Sequence, residues 1–280
     1  MTLDIDHLRT WIGQEEVQTE LLTAATIQRF NATFDRESSL DEGAIAPLLI
    51  HLCLAQPAVF TAELGPDGHP SRGGFLPPVP LPRRMWAGGH FTFHDHICIG
   101  ELVRRRSVIQ DVTVKEGRSG VLCFVTVMHD IQSSGRKVLT ERQDIVYREV
   151  PLADTAHPKT AAASAPIGQH SRNIAATPML LFRYSALTFN GHRIHYDAPF
   201  STGKEGYPGL IVHGPMQATM LVQYAADIRN AAPAQFAFRS VSTIFDKADF
   251  TLNADDTADA LNLWTAAVGG PVAMEATAQW

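Results

Sequence analysis

Three strand-like stretches joined by short glycine turns constrain this chain more than any other feature of its sequence. They span residues 104–116, 121–131 and 138–146. The two turns between them, at residues 116–120 and 133–135, both contain glycine. Strand residues interrupted by such turns are typical of hairpins that follow one another along a chain. The middle of the chain is therefore predicted to form an antiparallel meander.

The residues before the meander are predicted to include three helices. The first is expected over residues 3–17, where Asp4 or Asp6 could cap its start, and the second over residues 23–34. A strongly apolar run then predicts a buried helix over residues 46–55. A buried helix followed by an antiparallel sheet makes this half an α+β unit.

Changes in composition divide the chain. Residues 63–85 are rich in proline and glycine, so they are predicted to be a long extended connection. Residues 151–169 are rich in Ala, Pro, Ser and Thr and form the best candidate for a linker. The prediction is an N-terminal half over residues 1–150, this linker, and a C-terminal half over residues 170–280.

The second half is predicted to repeat the plan of the first. Residues 178–187 are interpreted as a strand that leads into a polar segment, and residues 214–229 as an apolar helix. Four strands are then expected, over residues 235–246, 248–254, 258–267 and 271–280. No sequence identity between the halves is visible, so the repeat is one of architecture.

Composition limits the classes of function. Apolar residues make up 45% of the 280 residues, enough for a substantial core, and the net charge of −6 argues against a nucleic-acid partner. The three cysteines are far apart, which disfavours a zinc ribbon and fits a reducing compartment. Neither a signal peptide nor a membrane-spanning stretch is visible. We therefore expect a cytoplasmic, enzyme-like protein without a membrane partner.

The densest group of polar residues lies between residues 182 and 214. Asn190 and His195 stand five residues apart around Gly191, so their side chains could converge on one point. Histidine is the natural acid–base group near neutral pH, whereas an asparagine amide can fix a water but cannot take its proton. The segment ends at Gly214, where a predicted helix begins. Its backbone N–H could stabilise a developing oxyanion.

Less specific interpretations of these residues remain open. The histidines could form a structural pair, and a glycine before a helix could be an ordinary turn. Metal binding is a further alternative, with His192, His195, Asp197 and His213 as ligands, but no recognised zinc spacing is present. A second histidine-rich stretch, residues 90–96, is interpreted as structural. The prediction is therefore no metal and no cofactor.

Three motifs together resemble one family. Residues 184–195 (YSALTFNGHRIH) are similar to the hydratase motif of the MaoC-type R-specific enoyl-CoA hydratases, with Asn190 in place of the catalytic Asp and His195 in place of the catalytic His. Residues 76–89 (LPPVPLPRRMWAGG) and 207–215 (YPGLIVHGP) resemble a two-domain subgroup. That subgroup includes mitochondrial-type 3-hydroxyacyl-thioester dehydratases and bacterial mesaconyl-C4-CoA and itaconyl-CoA hydratases.

The resemblance implies a double hot-dog fold, in which each half is an antiparallel sheet wrapped around a central helix. It also implies reversible hydration of an α,β-unsaturated acyl-CoA, with CoA as part of the substrate. His195 would then be the acid–base group, Asn190 would orient the water, and Gly214 would supply the oxyanion N–H. Since Asn190 cannot ionise, another acid could help, and Asp197 is the nearest in sequence. Pairing of two chains into a homodimer is a further expectation.

The acyl group is expected to be short and branched or a C5 dicarboxylate, such as mesaconyl-C4-CoA or itaconyl-CoA. A distal carboxylate needs a cation, and the candidates beside the motifs are Arg83, Arg84 and Arg193. These arginines could instead hold the proline-rich segment or bind CoA phosphates. His213 is grouped with them as substrate-binding. The alternatives are a 3-hydroxyacyl-ACP dehydratase, a hot-dog thioesterase and a non-catalytic acyl-CoA-binding protein.

Overall fold

A single antiparallel sheet of ten strands organises the protein. The structure is a computed structural model and describes residues 3–117, 120–149 and 163–280. The strands, in chain order, are β1 (Glu15–Leu21), β2 (Arg83–Phe93), β3 (Leu102–Gly117), β4 (Gly120–Ser133), β5 (Arg136–Arg148), β6 (His170–Ile174), β7 (Gln235–Ser240), β8 (Phe250–Asp256), β9 (Ala260–Ala267) and β10 (Val272–Gln279). The helices are α1 (Ile5–Arg9), α2 (Ala24–Phe34), α3 (Pro178–Leu187), α4 (Ala198–Gly203) and α5 (Gly214–Arg229).

Each half of the chain contributes one continuous part of the sheet. The sheet runs β1-β3-β4-β5-β2-β7-β10-β9-β8-β6, so each half supplies five neighbouring strands. Strand β2 pairs with β7 at the centre and joins the two halves into one sheet. The predicted meander is β3, β4 and β5, paired in succession. The α+β class is confirmed.

Helix α5 fills the second half as predicted. It contacts β7, β8, β9 and β10, and its residues from Met216 to Ala225 are all buried. It ends at Asn230, whose left-handed backbone (φ 51°) is a common way to stop a helix. The sheet therefore wraps around this helix, and the beginning of the helix is held at a fixed place against β2 and β7.

The first half lacks the long helix that was predicted over residues 46–55, and that prediction was wrong. Only a short 3₁₀ turn, Ile50–Cys53, forms there. Leu49 and Ala55 on either side have positive φ angles of 62° and 52°, which end helical structure in both directions. The apolar side chains of the run are buried nonetheless, so their periodicity reflects burial rather than a helix. Beside them, the inner face of β3–β5 lines a cavity.

Two further predictions of local structure were wrong. The helix expected over residues 3–17 is limited to Ile5–Arg9, capped by Asp4, because the chain then enters β1 and pairs with β3. Residues 178–187 form α3 instead of a strand. The side chain of Thr177 caps its start and proline occupies the first turn, which are two strong signals for a helix start.

The proline-rich connection crosses the surface as an extended strap, here defined as residues 64–82. Its residues Val79 and Leu81 are buried in a second apolar cluster with side chains of β3, β4 and β5. The guanidinium of Arg72 donates to the carbonyl oxygens of Val79 and Pro82, at 2.5 and 2.8 Å. The strap is therefore a fixed part of the fold, and its first residues reach the second half.

Most of the predicted linker, residues 151–169, lies outside the described residues. In the part of the chain that the structure describes, no helix combines the length and the apolar character that crossing a membrane requires.

Candidate active site

The loop after α3 places Asn190 in a tight turn. Phe189 has a left-handed backbone (φ 50°), and the N–H of Asn190 donates to the carbonyl oxygen of Ser185 at 2.8 Å. The Asn190 side-chain oxygen accepts the N–H of His192 at 3.0 Å. This turn directs the chain into the 3₁₀ segment Arg193–His195. The amide oxygen of Asn190 is thus committed to the turn, which leaves its NH₂ group to face a ligand.

His195 is held as a neutral base. Its Nδ1 lies 2.8 Å from the carbonyl oxygen of Ile211. A carbonyl oxygen only accepts hydrogen bonds, so Nδ1 carries the proton and Nε2 keeps a free lone pair. Burial lowers the pKa of His195 to about 4. The imidazole is therefore unprotonated near neutral pH, as a proton acceptor must be.

His213 lies behind His195 and not in the wall of the cavity. The two rings stack with centroids 3.6 Å apart, and Nε2 of His213 lies 2.8 Å from Oγ of Ser185. His213 is completely buried, and burial lowers its pKa well below the usual value. This placement makes His213 a support for the ring of His195, whereas the sequence had suggested a contact with substrate.

Gly214 begins α5 and lines the same cavity as His195. No side chain among the described residues caps this helix end, and the next residue, Pro215, has no N–H. The first N–H groups of a helix lack partners within the helix and carry partial positive charge. A Cβ atom on Gly214 would lie 3.8 Å from the ring of Trp86. The glycine therefore keeps one face of this N–H open to a ligand.

The strap brings a further histidine, His69, to this point, and no sequence motif indicated it. Nδ1 of His69 lies 3.0 Å from Oδ2 of Asp67. The ring of His69 lies against that of His192, with centroids 4.0 Å apart, and His192 meets His195 edge-on at 5.4 Å. Asp67, His69 and His192 all line the cavity. Nothing in a single sequence indicates that residue 69 would meet residue 192.

Asp67, His69 and His192 also form the one group among the described residues with ligand atoms close enough together, within 4.8 Å, to consider a metal ion. Two of these groups already bind each other, and the positive charges of Arg84 and Arg72 act on His69. Such charges oppose a cation, so we interpret the group as a hydrogen-bonded pair beside a third ring.

Asp197 is not the helping acid that its position in the sequence suggested. Its carboxylate binds the guanidinium of Arg193 at 2.7 Å and accepts the N–H of Phe200 at the start of α4. The hydrogen bond from Arg193 lowers its pKa, so Asp197 stays ionised. It does not belong to the cavity wall among the described residues.

The three predicted arginines differ in their partners. Arg193 is engaged by Asp197 and by the carbonyl oxygen of Pro66. Arg83 donates to the carbonyl oxygen of Glu205 at 2.6 Å and lies over the ring of Tyr207. Arg84 lines the cavity and makes no ion pair with any residue that the structure describes. Burial lowers the pKa of His69 and of His192, and the charge of Arg84 lowers both further.

One cavity of about 1260 Å³ joins these groups to the inner face of the first half. Its inner end, here called the polar floor, is formed by Arg105, Ser107, His129, Glu141, Gln143 and His51. His129 bonds Ser107 and Gln143 at 2.7 and 3.0 Å, and Glu141 bonds His51 at 3.1 Å. Nε of Arg105 is buried without a partner among the described residues.

Comparisons with known proteins find relatives over most of the chain. The family model for hydroxyacyl-thioester dehydratase type 2 matches residues 49–246. The chain is 40% identical to the mesaconyl-C(4)-CoA hydratase of Chloroflexus aurantiacus, over 96% of both chains.

Two solved structures share the fold. A MaoC-like dehydratase from Phytophthora capsici superposes with a TM-score of 0.68 at 13% identity, covering 99% of each chain. A protein of Mycobacterium tuberculosis described as a double hot-dog superposes with a TM-score of 0.59 at 12% identity, covering 96% of each chain. The double hot-dog fold is confirmed, although the long helix expected at residues 46–55 is replaced by the 3₁₀ turn Ile50–Cys53.

Proposed function

Because the chain belongs to the hydroxyacyl-thioester dehydratase type 2 family, we propose that it adds water reversibly to a short, branched or C5 dicarboxylic enoyl-CoA. The chain is a hydro-lyase acting on CoA thioesters. The finer choice of acyl group is supported by one observation. A single cavity connects His195 and Gly214 to a polar floor, where a fatty chain would have to bury its end against charged groups.

The chemistry follows from the positions of three groups. His195 accepts a proton from water through Nε2 as the water oxygen bonds to the β-carbon. The electrons of the double bond move toward the α-carbon and the thioester oxygen, where the N–H of Gly214 stabilises the charge. The α-carbon then takes up a proton. The NH₂ group of Asn190 orients the water.

The acyl group is inferred from the cations that line the cavity. Arg84 lines the part of the cavity that holds His69 and His192, and Arg105 lies at the polar floor, where Glu16 is 3.9 Å from its guanidinium. A guanidinium is the side chain that best binds a carboxylate. Mesaconyl-C4-CoA and itaconyl-CoA carry such a carboxylate, and the relative from Chloroflexus aurantiacus is a mesaconyl-C(4)-CoA hydratase.

A panel of enoyl-CoAs tests this function. Crotonyl-, mesaconyl-, itaconyl- and long-chain enoyl-CoA are mixed with the protein, and the loss of enoyl absorbance is followed. We expect fastest hydration of a dicarboxylic substrate and a loss of about 10²-fold or more in kcat/KM for His195→Gln. His170→Gln, on the exposed edge strand β6, is the matched control. Activity of His195→Gln within a few-fold of wild type would contradict the assignment.

The other outcomes identify the alternatives. Faster reaction with a long-chain acyl carrier protein substrate would indicate a 3-hydroxyacyl-ACP dehydratase. Release of free CoA thiol would indicate a thioesterase, which α5 disfavours because its first turn has no acidic residue. Binding of enoyl-CoA without hydration would indicate a non-catalytic binding protein.

A further inference from the structure

The catalytic motif lacks an ionisable partner for His195. Asn190 cannot carry a proton, and its side-chain oxygen is already bonded to the N–H of His192. His195 itself contacts a carbonyl oxygen through Nδ1 and a neutral ring on its face. Reversible hydration moves one proton at the water and another at the α-carbon. A second acid–base group would let the two transfers occur at separate residues.

Asp67 and His69 have the geometry of such a group. Oδ1 of Asp67 accepts the N–H of His69 at 3.0 Å, and Oδ2 lies 3.0 Å from Nδ1 of the same residue. The carboxylate therefore fixes the ring and leaves Nε2 free. An aspartate so placed also stabilises the imidazolium that forms when Nε2 takes a proton. Both residues line the cavity that contains His195.

The strap is fitted closely at this position to residues 188–195, here called the motif loop. The N–H of Arg193 donates to the carbonyl oxygen of Asp67 at 2.9 Å. The backbones of Gly68 and Gly191 touch, so that a Cβ on Gly68 would lie 1.9 Å from the Gly191 oxygen. A Cβ on Gly191 would lie 2.7 Å from the Gly68 oxygen. Two glycines facing each other allow a contact that no other residue type allows, and this contact fixes His69 beside His192.

We propose that His69, held by Asp67, is a second catalytic residue, which exchanges a proton with the α-carbon while His195 exchanges one with water. This rests on the proposed hydration. The water oxygen bonds to the β-carbon and gives a proton to His195. The electron pair of the double bond takes the proton of Nε2 of His69 at the α-carbon. The proton on His195 then returns to His69 through water in the cavity, which restores the starting state.

Burial and the charges around His69 set its pKa, and so the pH range in which it can donate a proton. Burial lowers the pKa of His69, the bond to Asp67 raises it, and the charges of Arg84 and Arg72 lower it again. His192 lies against the ring, and Arg193 lies behind Gly68. Hydration needs protonated His69 and neutral His195. Its rate therefore falls as pH rises through the pKa of His69, and it falls again in acid as His195 takes up a proton.

Two substitutions test the proposal on the full-length protein with the best substrate of the panel. Asp67→Asn keeps the size of the side chain but removes the charge, and His69→Gln removes the proton carrier. We expect kcat/KM for hydration to fall about 10²-fold in each, with KM changed less than kcat. In His69→Gln the alkaline limb of the pH profile disappears. His96→Gln, an exposed histidine of the first half, is the matched control.

Restoring the acid to the motif gives the decisive comparison. Asn190→Asp added to Asp67→Asn is expected to recover about tenfold in kcat/KM, because a carboxylate then stands beside His195 again. The recovery is compared with the effect of Asn190→Asp in the otherwise wild-type protein, because a merely structural role of Asp67 would give the same change in both backgrounds. If both single variants keep their activity and pH profile while His195→Gln is inactive, the role of His69 is overturned and the proposed hydration still stands. Activity lost with a chelator and regained with zinc would overturn it as well.

Discussion

The rings of His195 and His213 stack face to face, with centroids 3.6 Å apart and planes inclined by 18°. Both rings are buried, and burial lowers the pKa of each. A proton on His195 would be brought close to a second imidazole that also has little access to water. The stack therefore holds the ring of His195 in its orientation, and burial keeps that ring neutral.

The burial of His195 predicts a loss of stability in acid. The unfolded chain takes up a proton on this histidine near pH 6.5, whereas the folded chain does so only near pH 4. Stability is thus complete above pH 6.5 and falls as the pH is lowered to 4, by about 3 kcal/mol for His195. Urea unfolding at several pH values measures this fall, and His195→Gln should reduce it. Equal pH dependence in both proteins would contradict the prediction.

The helix start offers a second prediction. A methyl group on Gly214 meets other atoms only at 3.8 Å and beyond, so Gly214→Ala is expected to fold with little change in stability. It would nevertheless cover the N–H that we propose as the donor to the thioester oxygen, and we expect kcat to fall about 10²-fold. Gly203→Ala, in α4 with open space around it, is the control. Full activity of Gly214→Ala would exclude this N–H as the oxyanion donor.

The sequence predicted those parts of the fold and site that are local. The meander, α5 and the strands after it follow from turns and periodicity, and the motif places Asn190, His195 and Gly214 around one cavity. The missing helix at residues 46–55 shows the limit. An apolar run indicates burial, but the left-handed Leu49 and Ala55 are set by the packing around them.

Contacts between distant segments could not be predicted in this way. His69 reaches His192 because two glycines let the strap approach the motif loop, and neither glycine is distinctive by itself. The polar floor also depends on contacts between distant segments. Apart from His51, which lies in the 3₁₀ turn Ile50–Cys53, its residues alternate along β3, β4 and β5 like ordinary strand residues. They line a cavity because no long helix covers them in the described first half.

The polar floor predicts which acyl groups are rejected. Burial lowers the pKa of Arg105, whose Nε has no partner among the described residues, so an alkyl chain placed there would leave it desolvated. Arg105→Met is expected to shift the ratio of kcat/KM for long-chain over dicarboxylic enoyl-CoA upward by about tenfold or more. Arg104→Met, its neighbour on β3, should leave the ratio unchanged. An unchanged ratio in Arg105→Met would show that the floor does not select the acyl group.

The effect of the contact between the strap and the motif loop can be measured separately from the effect of backbone strain. Gly68 and Gly73 both have positive φ angles, 87° and 89°, so alanine costs about 1 kcal/mol at either position. Only at Gly68 does the new methyl group collide with backbone, whereas at Gly73 its nearest neighbour lies at 3.7 Å. Gly68→Ala must therefore push the strap away from Gly191 and carry His69 with it.

We expect both variants to lose a similar part of their stability from strain, with a further loss in Gly68→Ala. The two variants should differ more in activity than in stability. Hydration by Gly68→Ala should fall at least about tenfold, because a displacement of about 1 Å is enough to impair a catalytic group, while Gly73→Ala keeps its activity. Steady-state kinetics beside urea unfolding of both variants measures this. Equal activities would mean that the position of the strap has no effect on the reaction.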